Sequence, residues 1–366
     1  MSYITIIVVI FSCLAAIDRI FGSKLGLGKE FDKAFMLLGT MSLSMIGMIV
    51  ISPFIAGLLK PVSDVLGNFL HIDPSVIPAS LFANDMGGAP LAVELGLNEK
   101  LAMFNALVVS SMMGCTVSFT IPFSLGVVKK EQHKELILGL LCGIVTIPLG
   151  CFVSGLMCKL PVVTLLIDLI PLVIFSAIVG AGLVLFPEIS VKIFKVFGIF
   201  ITTVITIGLA FGIIRFLTGY EVIKGLATFE EGALVCVNAA VVLSGTFPFM
   251  YALSKVLSKP LRKLSGVIGI DEISIVGLLS CIASNATSFG MMDKMGKKGT
   301  VLNSAFAVSA AFTVGSHLAF TMAFEGGIHS DYVVPLMVGK LTAGVLALFV
   351  ASVIYARTEK SEKKES

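Results

Sequence analysis

Two stretches place chemistry where an apolar sequence should have none. Phe82-Ala83-Asn84-Asp85-Met86-Gly87-Gly88-Ala89-Pro90 sets a carboxylate, an amide, two glycines and a proline inside an apolar run. Ala283-Ser284-Asn285-Ala286-Thr287-Ser288-Phe289-Gly290 does the same much later, with an amide and three hydroxyls. A carboxylate remote from bulk water is expensive unless it meets a cation or holds a proton. Asp85 therefore reads as the counter-ion of a cationic solute, as a proton carrier, or as the cap of the half-helix that follows it. Asn84 and Asn285 hold equivalent places; each can donate and accept a hydrogen bond, to a solute or to the other. Thr287 and Ser288 add hydroxyls that bind a solute or bond back to helix carbonyls. Asn105 and His317 lie on the polar sides of the segments after each stretch, where large polar groups are costly to bury. Phe82 and Phe289, with Phe104 and Phe320, offer ring faces to a cation or simply pack.

The rest of the chain decides how such groups are positioned. Its 366 residues are 57% hydrophobic and 13% charged, with mean hydropathy +1.03. A soluble domain is about 45–50% apolar and about 25% charged, and the apolar runs here approach the roughly 20 residues that span a bilayer. The class is an all-α polytopic membrane protein; continuous rather than alternating apolar runs disfavour a β-barrel. A net charge of +3 spread along loops argues against nucleic acid as a partner. With no Trp, any aromatic belt must use Tyr and Phe. Cys13, Cys115, Cys142, Cys151, Cys158, Cys236 and Cys281 form no C-x-x-C pair and have no histidine at zinc spacing, so they read as small apolar packing residues.

Eleven apolar segments fall near 2–21, 33–59, 73–95, 101–128, 135–158, 160–186, 190–217, 231–257, 272–292, 299–324 and 332–356. Basic residues follow the first segment rather than precede it, the reverse of a cleaved signal, so it reads as a span with its N-terminus outside. An internal repeat is visible. Pro53-Phe54 and Lys60-Pro61 match Pro248-Phe249 and Lys259-Pro260; Ile72-Asp73 matches Ile270-Asp271; Val109-Ser110 matches Val308-Ser309; Phe119-Thr120 matches Phe320-Thr321; Gly139 matches Gly339. Residues 1–158 and 190–356 thus read as two copies, joined by a connecting span within 159–189 and followed by a charged, disordered tail at 357–366.

Charge chooses the topology. If every segment crosses, the basic residues divide almost evenly. If 73–95 and 272–292 instead return to their own side, only Lys60, Lys100, Lys159, Arg215 and Lys224 fall on one face. The rest of the 26 Lys and Arg, apart from Lys340 within a span, then fall on the other. Positive charge marks the cytoplasmic side. The expectation is two inverted repeats, each carrying a re-entrant or broken helical hairpin, with the N-terminus outside and the C-terminus cytoplasmic. Such breaks are tolerated at membrane depth only where protein or a water-filled cavity satisfies the backbone, and Pro74, Pro78 and Pro90 bracket the first one.

Among the remaining polar intruders, Asp168 reads as structural, Glu94 as interfacial, and Lys340 as a residue that snorkels or pairs with an acid. His71, His133, His317 and His329 are scattered, and no H-E-x-x-H, G-x-S-x-G or phosphate-cradling G-x-x-x-x-G-K-[ST] occurs. Neither an enzyme nor a pump with its own ATP site is expected, and no cofactor.

The chain resembles the ethanolamine permeases of the ethanolamine-utilisation operon, the EutH family, over nearly its whole length. The resemblance rests on Asn84-Asp85-Met86-Gly87-Gly88, Ser110-Ser111-Met112-Met113-Gly114, Gly143-Ile144-Val145-Thr146-Ile147-Pro148, Phe289-Gly290-Met291-Met292, Phe306-Ala307-Val308-Ser309-Ala310-Ala311-Phe312 and Val338-Gly339-Lys340-Leu341. The chain departs from the family's common pattern at Ser316, where an acid often stands beside the His317 position. The resemblance implies uptake of ethanolamine across the cytoplasmic membrane, with Asp85 on the ammonium and Asn84, Asn285 and Ser288 on the hydroxyl or ammonium. Its partners would be ethanolamine and the bilayer, with the oligomeric state, a homo-oligomer included, left open. One alternative is a hairpin transporter of another polar metabolite such as a nucleoside, with Asp85 holding a coupling cation. A membrane sensor or intramembrane enzyme is a third, opposed by the lack of a soluble domain and of catalytic motifs.

Overall fold

The computed structural model describes residues 3–70, 72–327 and 330–365; His71 and His329 lie outside the described residues. Among the described residues the chain is helical, without strands. The first part holds α1 (Tyr3–Ile20), α2 (Leu27–Leu70), α3 (Val76–Leu81), α4 (Gly88–Leu95) and α5 (Glu99–Phe104). The last of these runs on as π-helix through Asn105–Gly114 and Thr116–Thr120 into α6 (Ile121–Val127). Then come α7 (His133–Ile144), α8 (Ile147–Met157), α9 (Val162–Asp168), α10 (Ile170–Leu185) and α11 (Pro187–Thr218). The last part holds α12 (Phe229–Ile268), α13 (Glu272–Ala283), α14 (Asn285–Gly290), α15 (Lys297–Ala310), α16 (Ser316–Ala323) and α17 (Val333–Glu365). Eight stretches among the described residues are long and apolar enough to cross a membrane, which makes this a multi-pass membrane protein.

Several expected boundaries move. The segments at 33–59 and 231–257 continue as helix to Leu70 and Ile268, through Lys60-Pro61 and Lys259-Pro260. A proline removes a donor from the helix ladder, but membrane helices tolerate it where the freed carbonyl finds another partner. At Pro53 that carbonyl belongs to Ile49, and the Ser52 hydroxyl donates to it at 3.0 Å. The tail expected to be disordered instead extends α17 to Glu365.

The largest departure concerns 299–324. It is not one span: α15 stops at Ala310, and 311–315 unwinds before α16. Phe312 adopts a left-handed φ of +59°. Its N–H donates to the Cys281 carbonyl at 3.2 Å, and the Val314 N–H donates to Ile282 at 3.0 Å. The unwound strap thus satisfies the orphan carbonyls at the end of α13, a tertiary pairing that apolar periodicity does not carry.

The two polar stretches do break their helices. Between α3 and α4, Ala83 is extended, Asn84–Met86 form a single 3₁₀ turn, and Gly87 takes a φ of +102°. Between α13 and α14, Ser284 is extended. Each broken segment is tied at its base by an aspartate. Asp73 accepts from the Leu97 and Asn98 N–H groups at 3.1 and 2.9 Å, and from Ser75 through both N–H and hydroxyl. Asp271 accepts from the Gly296 N–H at 2.9 Å and from Ser274 through both groups. Asn98 and Gly296 each stand 25 residues after their aspartate. Asn105 donates to the Ser75 hydroxyl and Asn303 to the Ser274 carbonyl, adding an amide to each clamp. In both places the chain leaves, breaks and returns to where it began.

The π-helical stretch sits at the centre, and every residue of Asn105–Gly114 is buried. Its hydroxyls bond back to its own carbonyls: Ser111 to Val108 at 2.8 Å, Thr116 to Met112 at 2.7 Å and Ser118 to Gly114 at 2.7 Å. That competition widens helices, and π-segments mark functional sites more often than chance.

Candidate functional site

A cavity of about 580 Å³ lies where the two breaks face each other. One wall comes from α2 (Thr40, Met41, Ser44) and another from α12 (Phe247, Met250, Tyr251). Its inner end is made by Asp85 and Met86 of the first break, Cys115 and Phe119 of the π-helix, Ser284 and Thr287 of the second break, and Phe312, Ser316 and His317. Its outer end reaches Glu30 and Lys33, which pair at 3.3 Å. A second cavity of about 460 Å³, lined by Asn98, Glu99, Lys100, Met103, Asp331 and Tyr332, shares no lining residue with the first.

Local geometry explains why Asp85 points inward. The Asn84 side-chain oxygen accepts the Asp85 N–H at 3.0 Å, and the Met86 and Gly88 N–H groups both donate to Ala83 O, closing the turn. The turn is pressed onto the π-helix: a Cβ on Gly88 or on Gly114 would strike the Phe82 carbonyl. The Ala83 N–H donates to the Ser118 hydroxyl at 3.0 Å. Asp85 does not cap the following half-helix; α4 begins after Gly87 with no side-chain cap. The Asn84–Met86 turn instead packs against α16, and Asp85 lines the cavity together with Ser316 in the first turn of that helix. A helix N-terminus carries partial positive charge and favours an anion beside it.

Of the expected site residues, the cavity gathers Asp85, Thr287 and His317. The others lie off its lining, all buried except the half-buried Phe82. The Asn285 amide donates to Thr120 at 3.0 Å, Ser288 donates to Asn303 at 2.9 Å, and Asn105 is held by Ser75. Asn84 and Asn285 do not bond each other; the Asn84 amide nitrogen and the Asn285 amide oxygen have no partner among the described residues. Phe82 packs on Phe197 at 5.8 Å and Phe289 on Phe123 at 6.3 Å, both off the cavity. The rings that do face it are Phe119, Phe247, Tyr251 and Phe312, and Phe119 meets Phe312 edge-on at 5.8 Å. The sequence reading missed Ser284 and the α2 hydroxyls as lining groups. Ordinary helix periodicity on α2 is the signal that leads to the latter.

Lys340 neither snorkels nor pairs with an acid. It is 1% exposed, and its ammonium donates to the Ser111 carbonyl at 2.7 Å and to His317 Nδ1 at 3.2 Å. Asp168 is likewise buried at the end of α9, away from the cavity lining. No cluster of His, Cys, Asp and Glu that would hold a metal occurs among the described residues.

A carboxylate, several hydroxyls and four rings around a cavity of this size suit a small, polar, positively charged solute. Fold and cavity together describe a multi-pass membrane protein whose helical bundle encloses a cavity suited to such a solute. The chain belongs to the EutH family: the family described as "Ethanolamine utilisation protein, EutH" matches residues 1–354. A Listeria monocytogenes protein named "Probable ethanolamine permease EutH" is 40% identical over 98% of this chain and 95% of its own length. A Salmonella typhimurium protein of the same name is 34% identical over 98% of this chain and 96% of its own. A Bacillus subtilis protein named "Uncharacterized protein YxeR" is 32% identical over 99% and 97%. No solved structure matches the chain.

Proposed function

We propose that this chain takes ethanolamine up across the cytoplasmic membrane, as a secondary transporter or facilitator. The observation that carries the reading is Asp85: a carboxylate turned into an interior cavity, with no ion pair among the described residues. Ethanolamine is a primary amine, protonated at neutral pH like a lysine side chain of pKa about 10.4. Its ammonium takes the place facing Asp85, and its hydroxyl bonds to Ser316 or Thr287 across the cavity. Asn84, Asn285 and Ser288 hold the two breaks in register behind that contact. The relatives' printed names favour ethanolamine over a nucleoside.

The two clamped segments are re-entrant hairpins of two inverted repeats in this reading. Three things support it: the matching aspartate clamps, the hydrogen bonds that tie each segment's two ends together, and the uneven division of basic residues that this topology gives and full crossings do not. The same charge rule puts the N-terminus outside and the C-terminus in the cytoplasm. The cavity, reaching Glu30 and Lys33 on the basic side, then opens inward.

The test is uptake of labelled ethanolamine into proteoliposomes. Saturable uptake is expected, and Asp85→Asn, with folding checked by thermal shift, should lower it by about a hundredfold, the loss of a buried charge-assisted contact worth about 2–3 kcal/mol. Wild-type uptake by the folded Asp85→Asn protein removes Asp85 from the site.

A further inference from the structure

Lys340 is a charge that the uptake reading leaves unused. An ammonium has donors only, so His317 Nδ1 must offer its lone pair to it; the imidazole is then neutral with its proton on Nε2. The other partner, Ser111 O, is a neutral carbonyl of the π-helix. No carboxylate among the described residues forms an ion pair with Lys340. A buried cation held by neutral groups alone is unfavourable in an apolar bundle, so a negative charge nearby has to balance it. The Asn84–Met86 turn that carries Asp85 packs against α16, the helix whose His317 holds Lys340. Consecutive residues on the first turn of α16 link the two: Ser316 lines the cavity with Asp85, and His317 meets the Lys340 ammonium. Both bridging side chains line the cavity. The wall that would receive a cationic solute therefore already contains a cation.

We propose that Lys340 is the resident counter-charge of the empty site, balancing Asp85 alone when no solute is present and sharing it with the solute's ammonium when one is bound. The proposal rests on the reading of Asp85 as the ammonium partner. An empty carrier must return before it can take up again, and a lone carboxylate inside an apolar bundle opposes that return. With Lys340 in place the empty site is neutral. Exchange of one solute for another never requires the empty return, so it does not need the lysine.

Lys340→Met and Lys340→Arg in proteoliposomes separate the two steps. Net ethanolamine uptake by Lys340→Met is expected to fall at least about tenfold, while counterflow of labelled against unlabelled ethanolamine stays within about threefold of wild type. Lys340→Arg, which keeps the charge, should recover most net uptake. Net uptake and counterflow that fall together, or that both stay unchanged, in a folded Lys340→Met protein overturn the proposal. A substrate-free thermal-shift cycle guards against misfolding. Asp85→Asn and Lys340→Met should each lower Tm, and the double variant should regain most of the loss; strictly additive losses overturn the proposal. A wild-type protein that moves no ethanolamine defeats the substrate reading instead, and leaves the cycle to decide on Lys340.

Discussion

A polar side chain inside a membrane bundle has to be used, either by a solute or by the scaffold. Asp85 and Ser316 line the same cavity, where the proposed solute would sit. Ser316→Ala removes one hydrogen bond without adding bulk, so the KM for ethanolamine in proteoliposomes should rise about three- to tenfold, equivalent to about 0.5–1.5 kcal/mol, with little change in Tm. An unchanged KM would place the hydroxyl outside the binding contact. That Asp85 is exceptional is legible in the sequence, because a carboxylate in an apolar run is rare and costly. The fates of the nearby amides and hydroxyls are not. Asn285, Ser288 and Asn105 look like ligands by composition, yet they spend their bonds on Thr120, Asn303 and Ser75. Which way a side chain faces depends on partners far away in the chain, and one sequence does not record them. The aromatic choice went the same way: Phe82 and Phe289 flank the breaks in sequence but turn to Phe197 and Phe123.

The elements that matter most are the broken ones. Both polar breaks are readable from Asn84-Asp85-Met86-Gly87-Gly88 and Ser284-Asn285, since polar and glycine residues interrupt apolar periodicity there. The strap at 311–315 is not, because Ala311-Phe312-Thr313-Val314 continues that periodicity, and only pairing with Cys281 and Ile282 unwinds it. Glycines mark where these pieces touch. A Cβ on Gly88 would meet Phe82 O, and one on Gly315 would meet Ala283 O. Backbone atoms do not yield as side chains do, so Gly88→Ala and Gly315→Ala should each cost about 1–3 kcal/mol, seen as a lower Tm and reduced uptake. Wild-type Tm in both would show the breaks to be loosely packed. The second clamp adds a pH dependence. Burial pushes the Asp271 carboxyl up, but hydrogen bonds from the Gly296 N–H and from Ser274 outweigh it and hold it below its ordinary value. A lowered carboxyl stabilises the fold above its unfolded pKa of about 3.9 and loses that contribution as pH falls through its folded value. Thermal shift should therefore show Tm dropping below about pH 4, and Asp271→Asn should lower Tm at neutral pH while flattening part of the acid decline.

At the scale of the molecule, the all-helical, multi-pass class follows directly from composition, and the arrangement of basic residues supplies a topology that can be tested. Single cysteines at positions 72 and 97, in a background lacking the seven native cysteines, should react with an impermeant reagent from the same face, because Leu97 N–H is bonded to Asp73. Labelling from opposite faces would make 73–95 a crossing and end the inverted arrangement. The number of true spans was less legible: apolar length alone counts 299–324 as one helix.

The separation of the two cavities bears on speed. The two share no lining residue, so a solute that moves from one to the other needs the packed residues between them to part. Each passage has to wait for the backbone to rearrange, on the microsecond-to-millisecond scale of collective motion. Throughput by that route is thus set by the protein's own stroke.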